Sequence, residues 1–204
     1  MTPDSVAKIK DITTYFLNRS GWKPRGTPED KDLRANISYE ITQWNVYDDA
    51  QAVEKIVDGS CAIAETTYGF TGPAHRRFVA LYTACFMHVD DVGDALLDAV
   101  AQFAARLTRG EPQLSPALES LAELLRGAHE LWTQVGADII IASTVEGVTA
   151  MYLEYTTQDM VLGPHATWWP GYMRSRTGVC SAYAYCMFMN TWRDTPESYL
   201  GAMP

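Results

Sequence analysis

Three carboxylates, Asp90, Asp91 and Asp94, close the mostly apolar stretch Phe86-Met87-His88-Val89. On a helix, residues four apart share a face, which would set Asp90 and Asp94 about 6 Å apart along the axis. Asp91 lies about 100° round from Asp90 and can lean toward the same mouth. Like charges at that spacing repel, so a segment that gathers three acids has a cation in view. Hard carboxylate oxygens suit Mg²⁺, an ion that keeps several waters and is bound through one or two carboxylates together with the phosphates of a substrate. The plainer reading is that Asp residues cap helices and favour their N-termini.

The element that must present these acids is legible just before them. Phe78, Tyr82, Phe86 and Val89 recur at helical spacing and form an apolar stripe, so a helix carries the acids at its C-terminal end. A second segment with chemistry in it is Gly171-Tyr172-Met173-Arg174-Ser175-Arg176-Thr177-Gly178-Val179. Arginine offers a rigid fork of donors that can grip phosphate oxygens, and a glycine inside a helical pattern marks a break where a carbonyl can face a cavity. Here the plainer reading is a surface arginine pair beside a C-capping glycine.

Taken together and in this order, the two segments resemble the aspartate-rich helix and the diphosphate-sensor segment of class I terpene synthases. The resemblance runs from about Pro73 to Phe188. With Ser143-Thr144 and the segment around Glu154-Tyr155 it is most similar to fungal trichodiene synthases and their relatives. It implies an α-helical terpenoid synthase bundle and an enzyme, a carbon-oxygen lyase acting on diphosphates. Such an enzyme ionises a prenyl diphosphate, farnesyl diphosphate above all, and cyclises it to a sesquiterpene. In that family's pattern, Asp90, Asp91 and Asp94 bind Mg²⁺, Arg174 grips the diphosphate, and Thr177 and Gly178 are the linker and effector that couple binding to ionisation. Phe86, one turn before Asp90, is expected to line the substrate pocket.

The family's second metal motif, Asn or Asp followed by Ser or Thr and then Glu at four-residue steps, is not found between Arg174 and Pro204; Asn190-Thr191-Trp192-Arg193-Asp194 lacks both the spacing and the Glu. The chain is therefore expected to be a single, partial synthase domain over residues 1–204, incomplete on its C-terminal side and with little or no turnover. Two other readings stand beside this one. A prenyl-chain-elongating synthase also uses Asp-Asp-x-x-Asp, but needs a second aspartate-rich motif. A non-catalytic helical remnant would bind diphosphate or a partner, and dimerisation through an uncovered face would be its sign.

Composition bounds the rest. With 204 residues, 47% hydrophobic and 20% charged, the chain has apolar content for one globular unit. A formal charge of −9 argues against a nucleic-acid partner or a polybasic membrane surface. No eighteen-residue apolar run and no apolar leader is present, so no membrane span and a cytoplasmic location are expected. Cys61, Cys85, Cys180 and Cys186 lack metal-ligand spacing and read as reduced, buried residues. His129-Glu130 is not followed by the second histidine of a zinc motif, so His129 reads as a surface residue.

Periodicity predicts helices over 4–19, 33–47, 49–67, the aspartate-rich stretch, Leu96 to Arg109, 117–135, Ala137 to Met160, and Tyr172 to about Met189 across Gly178. Loops rich in glycine, proline and charge are expected over Gly21 to Asp32, Glu111 to Pro116, Leu162 to Pro170 and the tail from Trp192. No stretch alternates with period two. The fold class is all-α.

Overall fold

The structure, a computed structural model, describes residues 3–21 and 29–191. Most of the 21–32 loop and the tail from Trp192 lie outside the described residues. The described residues form helices and no strand. In order these are α1 (Pro3–Ser20), α2 (Lys31–Gln43), α3 (Ala50–Thr67), α4 (Pro73–Val92), α5 (Leu97–Arg109), α6 (Pro116–Arg126), α7 (Ala128–Leu131), α8 (Gln134–Thr156), α9 (Trp169–Thr177) and α10 (Cys180–Tyr185).

The helix starts follow from local chemistry. Asp30 accepts from the Leu33 amide at 3.0 Å, Asp49 from the Gln51 amide at 2.9 Å and Thr133 from the Gly136 amide at 3.3 Å, each answering one of the orphan N–H groups of a first turn. Pro73 and Pro116 open α4 and α6, where a missing N–H costs nothing. At the other end of α5, Gly110 takes φ 68°, the left-handed C-cap that the Arg109-Gly110 pair predicts.

α4 is the axis of the fold. It packs against α2, α3 and α6, and every residue from Phe78 to Phe86 is buried, as for a helix enclosed on all sides. Burial of each such aromatic contributes about 1.5–3 kcal/mol. α8 is the second axis, set among α5, α7, α9 and α10. By length and composition α8 could cross a membrane, while Ala137, Ile140, Thr144, Gly147 and Val148 on it are buried against protein. The two axes join through side chains. The hydroxyls of Tyr82 and Thr144 bond at 2.9 Å, and the Tyr155 hydroxyl donates to the Val89 carbonyl at 2.6 Å.

Two expectations need correction, and α1, which forms as expected, stands apart from the core. The 117–135 helix is two helices, α6 and the short α7, divided at Gly127. Trp132 then runs extended and forms an isolated bridge with Met189. Its indole is 1% exposed, edge-on to Phe78 at 4.6 Å, and this tertiary contact overrides helix propensity. α1 does form, but Val6, Ile9, Ile12 and Phe16, its apolar face, are all exposed. Cys180 is exposed, whereas Cys61, Cys85 and Cys186 are buried as expected; all four are free thiols.

Candidate active site

The acids sit at the C-terminal end of α4, where the helix dipole disfavours negative charge and no basic residue occupies the last turn. None of them caps a helix, since the N-cap position of α5 is Leu96. The capping explanation therefore fails.

Their arrangement differs from a continuous helical face. α4 stops at Val92, and Gly93 begins a tight turn in which the amides of Ala95 and Leu96 bond to the carbonyls of Val92 and Gly93. Asp94 thus leaves the helix, and its carboxylate accepts from the Ala95 amide at 2.9 Å. Asp91 faces α3 and approaches the Lys55 ammonium at 3.8 Å, an exposed pair worth little. Asp90, also exposed, faces α8 and α9.

Where the helix stops, α8 packs against it. The Tyr155 ring lies over Gly93 so closely that a Cβ there would come within 2.4 Å of it. Burial, and then the carboxylates of Asp90, Glu154, Asp94 and Asp91, push the Tyr155 phenol up to about 12, which keeps it a proton donor to Val89. Just below, buried His88 bonds through Nδ1 to the Tyr47 hydroxyl at 2.5 Å, and burial holds its pKa below the usual histidine value.

Asp90 opens onto a cleft of about 530 Å³ between the ends of α4, α8 and α9. Glu154 and Gln158 line it from α8 and beyond, Arg174 and Thr177 from α9, and Trp169 and Met173 supply apolar wall. The two arginines of α9 are in different states. Arg176 is engaged: its Nε reaches Glu146 at 2.9 Å and its guanidinium lies 4.0 Å over the Tyr172 ring. Arg174 is exposed and pairs with no described residue. An unpaired guanidinium and the two unpaired carboxylates of Asp90 and Glu154 thus face one cleft, an arrangement suited to an anion held partly through a cation.

Thr177 ends α9, and its hydroxyl donates to the Met173 carbonyl at 3.0 Å. Gly178 follows as the C-cap, with its amide 3.2 Å from the Arg174 carbonyl; a Cβ there would lie 2.8 Å from that oxygen. The expected break between two helices is present, but the left-handed residue is Val179, at φ 42°, while Gly178 is at φ −73°. Phe86 is 8% exposed and tilted against Tyr82 at 4.9 Å, inside the bundle rather than on the wall of the cleft. Of the residues singled out from sequence, the structure brings Asp90, Arg174 and Thr177 to one cleft. It sets Asp91 and Asp94 beside that cleft, and Phe86 and Gly178 behind it.

Sequence reasoning missed Glu154 and Gln158 as cleft residues. The signal was available, since Gly147, Met151, Glu154 and Gln158 fall on one helical face. It also missed Trp169, assigned to a loop, which begins α9 behind Trp168. His129, read as a surface residue, pairs with Asp138 at 2.9 Å.

Among the described residues, no three His, Cys, Asp or Glu side chains come close enough to cage a metal ion. The donor set is two exposed carboxylates at the cleft, Asp90 and Glu154, with Asp91 and Asp94 adjoining. That suits an ion which retains water and arrives with substrate phosphates, not a resident ion in a closed protein cage.

No family model matches the chain. Similar curated proteins are nonetheless found over nearly its whole length. Terpene synthase BipA of Cochliobolus sativus is 30% identical over 98% of this chain and 62% of the relative. Alpha-cuprenene synthase COP6 of Coprinopsis cinerea is 27% identical over the same shares. The (E)-beta farnesene synthase of Metarhizium brunneum is 27% identical over 92% of the chain and 58% of the relative. These relatives support a terpene synthase family for an all-α chain of this kind. The chain spans about three fifths of the length of the curated relatives it matches.

Proposed function

We propose that the cleft between α4, α8 and α9 binds the diphosphate of a prenyl diphosphate, and that the chain is a terpene synthase domain of the trichodiene synthase-like branch, acting as a carbon-oxygen lyase. The observation that carries this reading is that free Arg174 and free Asp90 line the same cleft. Synthase names among the relatives support it, and a farnesene-forming relative favours farnesyl diphosphate as substrate.

Each residue has a role in this reading. Arg174 donates its fork to diphosphate oxygens and orients the leaving group. Asp90, with Asp91 and Asp94 adjoining, would hold Mg²⁺. When bound, the ion neutralises charge on the departing diphosphate. Thr177 and Gly178 carry the end of α9 and so set where Arg174 points. Trp169 and Met173 keep water from the isoprenoid chain as the C–O bond ionises and the carbocation closes on its own double bonds.

A second reading, binding of diphosphate without turnover, is favoured by one observation: Asp91 and Asp94 turn to Lys55 and to the Ala95 amide. One experiment separates the two. Purified chain is incubated with farnesyl diphosphate and Mg²⁺, and released diphosphate and extractable hydrocarbon are measured beside calorimetric binding of the same ligand. Turnover that Asp90→Ala abolishes supports the lyase. Mg²⁺-dependent binding without product supports the second reading, and no binding at all overturns both.

A further inference from the structure

The link from α9 to α10 is two residues long, and its second residue is strained. Val179 has φ 42° and ψ 38°, a left-handed conformation that a β-branched residue seldom adopts. The glycine beside it, which could take that conformation freely, has φ −73°. Something outside the link must hold Val179 in place.

The holder is α8. Val179 is 4% exposed, and a Cβ built on Gly147 would come within 2.3 Å of one of its γ-methyls. The same Cβ would lie 3.4 Å from the Arg176 carbonyl and 3.6 Å from the Phe86 ring, so the backbone of α9 comes close to α8 at this point. Beside Gly147, Glu146 bonds Arg176 at 2.9 Å. A glycine inside a helix costs about 1 kcal/mol relative to alanine, and here the bare backbone is occupied by a single methyl group.

We propose that Gly147 is a positioning residue for the anion site: the gap it leaves on α8 seats the Val179 side chain, and that seat fixes the turn from which Arg174 and Thr177 reach the cleft. The inference rests on the diphosphate reading of the cleft and adds to it a residue that touches no ligand.

The test uses four chains: wild type, Gly147→Ala, Val179→Ala and the double substitution. Two quantities are read: Mg²⁺-dependent binding of inorganic pyrophosphate by calorimetry, and the rate at which a thiol reagent modifies Cys180, the exposed cysteine next to Val179. Gly147→Ala is expected to weaken pyrophosphate about tenfold, since small displacements of a positioning group are costly, and to change the Cys180 rate. Removing the γ-methyls with Val179→Ala in the same chain makes room for the added Cβ and restores both quantities toward wild type. Wild-type behaviour of Gly147→Ala in both measurements, or a double variant no better than the single one, overturns the proposal. Should Gly147→Ala not fold, the double variant decides alone: folding supports the size match, and failure to fold overturns it. If wild type binds no pyrophosphate, the diphosphate reading falls, and with it the positioning role proposed for Gly147; the Cys180 rates then report on the packing alone.

Discussion

The Tyr155 hydroxyl donates to the Val89 carbonyl at 2.6 Å while its ring covers Gly93, so one side chain of α8 both bonds the last turn of α4 and packs over the residue that caps it. Tyr155→Phe removes the donor and should cost about 1 kcal/mol in urea unfolding. Gly93→Ala must displace the ring and should cost more, about 1–3 kcal/mol. No loss in Gly93→Ala would mean that the ring does not sit there.

Arg174 and Arg176 should separate binding from stability. Arg176→Ala loses an ion pair and a cation–π contact, together about 1 kcal/mol, which a thermal melt will register. Arg174→Ala, with no described partner to lose, should leave stability within about 0.5 kcal/mol of wild type and weaken Mg²⁺-pyrophosphate about tenfold or more. The reverse pattern would hand the anion to Arg176.

The three aspartates should not be equivalent. Asp90→Asn is expected to remove most Mg²⁺-dependent pyrophosphate binding, and Asp91→Asn and Asp94→Asn less. Chelation with EDTA should reproduce the Asp90→Asn result in wild type. A larger loss in Asp94→Asn would move the cation off the helix and into the turn after it.

Acid should unfold the α2–α3–α4 side in a defined window. Glu65, 6% exposed, receives the Arg34 guanidinium at 2.9 Å through both Nε and Nη2, and these bonds hold its carboxyl below the usual carboxylate range. Asp30 is lowered as well, first by the Leu33 amide and then by Arg76. A carboxylate with a depressed folded pKa stabilises the fold above its unfolded value, 4.5 for Glu65, and loses that contribution as pH falls through the folded pKa. Stability measured by denaturant should therefore drop below about pH 4.5. Glu65→Gln should cost about 2 kcal/mol at pH 7 and flatten this dependence. An unchanged slope would place the acid-sensitive group elsewhere.

Helix existence was legible because it depends on local period and punctuation. The Arg109-Gly110 stop of α5 and the apolar stripe of α4 are present as the sequence implies. Less legible were the places where a distant side chain decides local geometry. Asp94 leaves its helix at the point where Tyr155, more than sixty residues on, occupies the space over Gly93. The strained residue of the α9–α10 link is Val179 rather than Gly178 because Gly147 leaves room for it. At the candidate site, residue types and order were enough to single out Asp90 and Arg174. Which arginine stays free was not legible, since that depends on Glu146 and Tyr172 engaging Arg176.

α8 meets the carboxylate side of the cleft through Tyr155 and the guanidinium side through Gly147. These contacts lie about 12 Å apart along one helix axis, at roughly 1.5 Å per residue. α8 therefore works as a caliper. The span between the two charged jaws is set by the pitch of this single helix and not by the segments that follow α4 and precede α9, and inserting one residue between Gly147 and Tyr155 would rotate one jaw about 100° away from the other.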